Sequence, residues 1–337
     1  MATAMLEMHG VDAERFRTEV VAAYRPVVLR GLVEQWPAVQ EARESFESLA
    51  AYLAGFDNGF YVDAIRTPPS ARGRIFYNDD LSGFNFTREK VTVSAALERM
   101  GKNAKFEKPP ALALQSALIA DCLPGFAAKH PMALLDASIG PRIWLGNAVI
   151  TPAHFDESGN IACVVAGKRR FTLFPPEQVR NLYIGPIGHA PTGTPISLVE
   201  FAKPDFERFP KFREALDAAQ VAEMEPGDAI YIPPLWWHHV ESLDRCNMLV
   251  NYWWKGRPEA PAQAGSALDV LLLSLVNLRP LSPEQREAWR AILDHYVFSA
   301  DGETAKHIPE SKRGVLGEMS PEYVKSVKEF LVAQLKK

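Results

Sequence analysis

The spacing of apolar and polar residues divides the chain into a helical opening, a β-rich middle and a helical end. Residues 11–24, VDAERFRTEVVAAY, repeat apolar positions at helical spacing, and Arg25-Pro26 stops that helix and opens the β-rich run PVVLRGL. Gln35-Trp36-Pro37-Ala38 is read as a turn, with a second helix predicted from Glu41 to Ala54. Short strands are predicted around Phe60–Ile65 and Arg74–Tyr77, with Pro68-Pro69-Ser70 as the loop between them. A helix is predicted from Val93 to Met100, ended by Gly101. ALALQSAL, from Ala111, fits strand and helix equally well by periodicity. Leu123–His130 is predicted as a short helix and Arg142–Gly146 as a strand.

The runs Ile161–Val165, Arg170–Phe174, Ala229–Ile232 and Met248–Trp254 are short, β-rich and punctuated by Pro and Gly, the pattern of a sandwich or jelly roll. Past Pro258 the spacing turns helical again. Leu268–Leu278 is apolar on nearly all sides and is expected to be buried. Ser282-Pro283-Glu284-Gln285 and Ser320-Pro321-Glu322 carry helix-start signals, a Ser cap followed by Pro in the first turn. Helices this apolar are expected to pack on the β core or to form a subunit interface.

Composition narrows the class. A chain of 337 residues with 47% hydrophobic and 23% charged residues has material for a sizeable core. A formal charge of −4 provides no basic field for a phosphate backbone, so nucleic acid is not favoured. Cys122, Cys163 and Cys246 are isolated within apolar runs and are read as reduced thiols, with no CxxC spacing. The opening residues show no basic-then-apolar leader, and the apolar run near Leu268 is too short to span a bilayer, so a cytoplasmic location is expected. No GxxxxGK[ST], GxGxxG or GxSxG pattern occurs.

The chemistry centres on TPAHFDESGN, residues 151–160. On a strand, side chains two apart share a face, so His154 and Asp156 project together. Such a pair alone is a weak signal. PGDAIYIPPLWWHHV supplies a further imidazole at the far end of a second strand-like run. His238 and His239 cannot both point inward there, so one is a ligand and the other a neighbour. Two imidazoles and one carboxylate on one face of a metal match the facial arrangement of non-haem Fe(II) oxygenases. Gly167-Lys168-Arg169-Arg170 precedes the apolar FTLFPP; a cation cluster is ordinarily a solvated turn, but one of these reaching into a barrel would pair with a carboxylate. His130, His189, His295 and His307 lack partners at ligand spacing and are read as surface or capping residues. Glu157 points away from its neighbour Asp156 in a strand and is left outside the site.

TPAHFDESGN, GKRRFTLFPP, KPDFERFPKF, GDAIYIPPLWWHHVES and VNYWWKG occur together and in this order. The chain therefore resembles the JmjC-type, cupin-like Fe(II)- and 2-oxoglutarate-dependent oxygenases, especially their asparaginyl-hydroxylase branch. The match is dense from about Arg142 to Lys255, weaker at RPVVLRG, FYND and LALQ, and sparse in the C-terminal helices.

The resemblance implies a mainly β fold with flanking helices: a double-stranded β-helix (cupin-like jelly roll) with helical N-terminal and C-terminal additions. It places a catalytic domain over residues 1–257, with the jelly-roll core at about 110–257, and a helical, dimer-forming region over 258–337. It implies Fe(II) held by His154, Asp156 and His238, with His239 as the neighbour. It places Thr151, Asn160, Asn251, Trp253 and either Arg169 or Lys168 around 2-oxoglutarate. Gln115, Tyr77 and Trp237 are the candidate substrate contacts. Two departures stand out: Arg169 replaces the family's usual Lys, and Ala113 stands where a relative carries a Tyr that assists that Lys. A larger forked cation supplies hydrogen bonds that compensate for a missing phenol.

The expected activity is a dioxygenase that hydroxylates a protein or peptide side chain, with dioxygen and 2-oxoglutarate as co-substrates. The alternatives are a small-molecule or RNA hydroxylase of the same class, a non-catalytic metal-binding module, and a Zn or Mn cupin needing no distal-carboxylate cation. A homodimer through the C-terminal helices and no membrane association are expected.

Overall fold

Short strands paired across long sequence separations build the architecture. They are β1 (Thr3–Ala4), β2 (Leu6–His9), β3 (Val27–Arg30), β4 (Val62–Thr67), β5 (Thr87–Val91), β6 (Ala111–Leu118), β7 (Arg142–Gly146), β8 (Ile150–His154), β9 (Gly159–Ala166), β10 (Arg169–Phe174), β11 (Gln220–Met224), β12 (Ala229–Ile232), β13 (Trp237–Ser242) and β14 (Asn247–Trp254). The computed structural model describes residues 3–256, 266–299 and 304–336. It divides into two compact units, Met1–Gln263 and Ala264–Lys337. The expected boundary near Pro258 lies outside the described residues.

In the first unit a 5-stranded sheet, β1-β11-β10-β13-β8, faces a 9-stranded sheet, β2-β3-β12-β9-β14-β7-β6-β4-β5. The inner layer between them is apolar, with Ala162, Val164, Phe171, Leu173, Ile230, Ile232, Val240 and Leu249 in contact. This is a jelly roll. β9 and β14 read as nearly continuous apolar runs because both of their faces are covered. Ala162 and Val164 face the inner layer, whereas Ile161, Cys163 and Val165 face a second core beneath the helices. A third cluster, around Phe174, Leu182, Phe212 and Trp237, covers the outer face of the small sheet.

Several elements depart from the local pattern. The jelly roll begins well before residue 110, because β3 pairs with β12 and β1 pairs with β11. ALALQSAL is a strand, β6, whose pairing with β7 is interrupted where Ser116 takes a positive φ of 48°. The predicted helix over residues 41–54 is two helices, Pro37–Glu44 and Phe46–Ala54. Extended Ser45 breaks them, and its hydroxyl caps the second at 3.0 Å from the Ser48 N–H. The helix Val93–Asn103 runs through Gly101, where a Cβ would come within 3.2 Å of the Phe46 ring; glycine serves helix packing here, not termination. Residues 11–24 hold a short α-turn, Ala13–Arg15, that continues as a π-helix, Phe16–Val21. Leu123–His130 is reduced to Phe126–Lys129.

His130 is 1% exposed, not a surface residue. Its Nε2 accepts the Ala38 N–H at 3.1 Å and its Nδ1 donates to the Phe126 carbonyl at 2.7 Å, so it does act as a cap.

The second unit contains the helices Ala267–Asn277, Pro283–Leu293 and Pro321–Leu335. Ser282 and Gln285 form the expected capping box, and Ser320 caps the last helix. Within the single chain the helix over the run at Leu268–Leu278 has no buried residue, and Val270, Leu271 and Val276 are exposed. Among the described residues no helix is long and apolar enough to cross a membrane.

Candidate metal centre

β8 and β13 are antiparallel neighbours in the small sheet, and their register sets His154 directly opposite His238. Asp156 lies two residues beyond the end of β8. One ligand atom from each of the three lies within 4.8 Å of the others. The imidazole centroids are 4.1 Å apart, and His238 Nε2 is 3.7 Å from Asp156 Oδ2. The turn before β13 is pinned against this loop by the Leu235 N–H, which donates to the Asp156 carbonyl at 2.8 Å while Leu235 adopts a φ of 64°.

Strand alternation settles which histidine points inward. β10 and β13 pair without a break, Leu173 opposite His238 and Thr172 opposite His239. Leu173 belongs to the inner layer. His239 faces outward and stacks on Phe201 at 4.3 Å. Burial, followed by the charge of Arg74, holds His239 down at about 3.

The hydrogen bonds of the inward pair fix their tautomers. His154 Nδ1 sits 2.9 Å from the Pro152 carbonyl, and His238 Nδ1 sits 3.0 Å from the Trp236 carbonyl. A carbonyl only accepts, so each Nδ1 carries the proton and each Nε2 keeps its lone pair for a cation. Burial, with His238 alongside, holds His154 below the ordinary imidazole range, in the neutral form a metal requires. The carboxylate is oriented as well: the Trp253 indole N–H donates to Asp156 Oδ2 at 3.1 Å. The donor set of two neutral imidazoles and one carboxylate suits Fe(II).

The space below the three ligands is polar in a few places only. Arg169 shares the inner face of β10 with Phe171 and Leu173, and is 5% exposed. Its Nε has no partner, and it forms no ion pair among the described residues. Burial pulls its pKa down to about 10. Lys168 goes the other way. It sits on the turn made by Gly167 at φ 71°, exposed, with its Nζ 2.6 Å from Glu225 Oε1. Of the two cations only Arg169 enters the barrel, and Lys168 is removed from the candidate set.

Thr151 reaches the same interior through a bulge. Between His238↔His154 and Val240↔Thr151 the register advances two residues on β13 and three on β8. In a regular strand residues three apart face opposite ways; the extra residue turns both Thr151 and His154 inward. Asn160 and Asn251 also line the interior, bonded Nδ2 to Oδ1 at 3.0 Å, and Asn251 Oδ1 is left without a partner.

The expected substrate contacts fare differently. Trp237 is on the outer face of β13, packed edge-on against Phe155 at 5.0 Å with its Nε1 toward the Pro176 carbonyl. Alternation that sends His238 inward sends Trp237 outward, so it is not a pocket residue. The Tyr77 ring lies between Phe76, Phe84 and His189, and its hydroxyl is spent on the His189 carbonyl at 2.7 Å. Gln115 sits at the irregularity of β6, its amide 3.3 Å from the Ala113 carbonyl. Two inward residues are not evident from motifs: Trp144, edge-on to Trp253 at 6.2 Å with an unpartnered Nε1, and Ser242, with an unpartnered Oγ. Their only sequence signal is parity, Trp144 two beyond Arg142 on β7 and Ser242 four beyond His238 on β13.

Comparison with known proteins places this architecture. The family model of the cupin-like domain matches residues 13–260. The chain is 32% identical to HSPB1-associated protein 1 of Homo sapiens over 149 residues, which is 44% of this chain and 30% of that protein. It is 23% identical to lysine-specific demethylase 8 of Xenopus tropicalis over 263 residues, 75% of this chain and 53% of the relative. It is 25% identical to Jumonji C domain-containing protein 5 of Drosophila melanogaster over 265 residues, 74% of this chain and 59% of the relative. The matched regions thus span from 30% to 59% of these relatives' lengths. With most of its length under one family model and two histidines and an aspartate converging in a jelly roll, this chain belongs to the cupin-like domain family, of the JmjC type.

Proposed function

We propose that the chain is an Fe(II)- and 2-oxoglutarate-dependent oxygenase that hydroxylates a side chain of a protein or peptide. The carrying observation is Arg169, a buried guanidinium with no counter-ion among the described residues, in the same barrel as the His154–Asp156–His238 set. A buried charge without a partner is costly, and an anionic ligand relieves it. A dicarboxylic 2-oxo acid fits both ends of the site.

His154 and His238 offer Nε2 and Asp156 offers an oxygen; Trp253 keeps that carboxylate from rotating. Arg169 and Thr151 bind the far carboxylate of the co-substrate, with Arg169 forming two parallel hydrogen bonds. The Asn160–Asn251 pair lines the pocket beside them. Phe171, Val240 and Leu249 exclude water from its walls. The bound iron supplies the oxidation: dioxygen and 2-oxoglutarate are consumed, succinate and carbon dioxide are released, and one oxygen atom enters a C–H bond of the substrate.

The names of the relatives support a protein as acceptor, one being associated with HSPB1 and another acting on lysine. Incubation with 2-oxoglutarate tests the reading: iron-dependent succinate release is expected, and its loss in His154→Ala. Iron-dependent succinate release by His154→Ala at the parent rate would refute the metal assignment. Peptide products one oxygen heavier indicate stable hydroxylation, whereas loss of a methyl group indicates demethylation.

The exposed apolar side chains of the last unit, among them Val270, Leu271, Phe330 and Leu331, support pairing with a second copy of the chain. Sedimentation of the chain truncated after Gly256 should then give a monomer; an unchanged dimer excludes those helices as the interface.

A further inference from the structure

The far end of the barrel holds three buried polar atoms without partners: Arg169 Nε, Ser242 Oγ and Asn247 Oδ1. Arg169 and Ser242 are directly opposed across the β10–β13 ladder, in a stretch of pairing with no register shift. Both belong to the inward parity of their strands, Arg169 with Phe171 and Leu173, Ser242 with Val240. Opposed residues of an antiparallel pair have Cβ atoms about 5 Å apart. Arg169 is 5% exposed and Ser242 is 7% exposed. The Ser242 N–H is already given to the Val149 carbonyl at 2.9 Å, so its hydroxyl is the group left over. Asn247 is fully buried on the inward parity of β14, with Leu249, and its Oδ1 lies against Gly167, two residues before Arg169.

The three atoms are chemically complementary. Arg169 Nε–H only donates, a serine hydroxyl both accepts and donates, and an amide oxygen only accepts. A guanidinium that grips a carboxylate through its two terminal nitrogens leaves Nε–H facing back along its own side chain. A lysine has no such hydrogen.

We propose that Ser242 is a positioning residue for Arg169: the three atoms, unbonded to one another here, close into a chain when an anion binds, Ser242 Oγ accepting the Nε–H and donating its own O–H to Asn247 Oδ1, so that both terminal nitrogens face the anion. This rests on the 2-oxoglutarate reading above. It gives the arginine at this position a requirement that lysine would not have.

The test is a two-by-two set of variants, Ser242→Ala in the parent chain and in Arg169→Lys. Binding is measured by calorimetry to the Mn(II)-loaded protein without oxygen, using 2-oxoglutarate and 2-oxobutyrate. In the parent chain Ser242→Ala should weaken 2-oxoglutarate about tenfold, the loss of one charge-assisted hydrogen bond. It should leave 2-oxobutyrate, which has no second carboxylate, unchanged. In Arg169→Lys it should change neither ligand.

Equal losses for both ligands would show a merely structural role and overturn the proposal. So would an equal loss in the lysine background, or no loss at all in a parent chain that binds 2-oxoglutarate and loses it in Arg169→Met. Failure of the parent chain itself to bind 2-oxoglutarate would overturn both the proposal and the functional reading beneath it.

Discussion

Arg169→Met should make the ligand-free protein more stable while removing its affinity for 2-oxoglutarate. The guanidinium is buried with no counter-ion among the described residues, and its pKa is pulled down to about 10. At about 1.4 kcal/mol per pKa unit, holding that charge inside costs on the order of 3 kcal/mol. Methionine has a similar reach, no charge and a flexible thioether that fills the same channel beside Phe171. After allowing for imperfect packing, a gain of roughly 1–2 kcal/mol remains. That corresponds to a rise of about 2–8 °C in the melting temperature of a domain this large. Scanning calorimetry of metal-free protein measures the rise, and calorimetric titration of the Mn(II)-loaded protein measures the lost affinity. A variant that melts lower and still binds 2-oxoglutarate would refute the idea that this arginine is held at a cost for an anion.

Trp253→Phe keeps an aromatic, though smaller, side chain and deletes the N–H that holds Asp156, so affinity for Fe(II) should fall about 10–100-fold in a chelator competition; unchanged affinity would mean the indole does not orient the ligand. Gly73→Ala should destabilise the first unit by about 1–3 kcal/mol in urea, because φ is +76° and the new Cβ would strike the Ala148 carbonyl; an unchanged midpoint counts against that packing. Burial lowers the pKa of His130, so the unfolded chain takes a proton that the folded one refuses, and stability should fall as pH drops below about 6.5 and level off above it. Urea titrations of metal-free protein between pH 5.5 and 7.5 should show this slope, reduced in His130→Gln; a slope of the opposite sign would refute the buried neutral imidazole. His154 and His239 are shifted the same way by burial and contribute to the same slope, so the comparison is between variants at each pH.

The sequence by itself offered the ligand types of the centre. His154 and Asp156 are two residues apart, so the chain itself keeps them close, although Asp156 lies past the end of the strand that carries His154. Capping residues such as Ser282 and Ser320 likewise act within a few residues of themselves, and their helices start where the local signal says. Tertiary structure decided whatever depends on partners distant in the chain. Whether ALALQSAL is strand or helix was open until β4 and β7 paired with it. Arg169 and Lys168 are adjacent cations with no local difference; the ladder with β13 turns one into the barrel and leaves the other with Glu225. The same ladder turns Trp237 outward, and the bulge in β8 turns Thr151 inward. Composition says how much apolar surface a chain must bury, but the face of a strand that is buried is set by the register with its neighbours, and a shift of one residue reverses it.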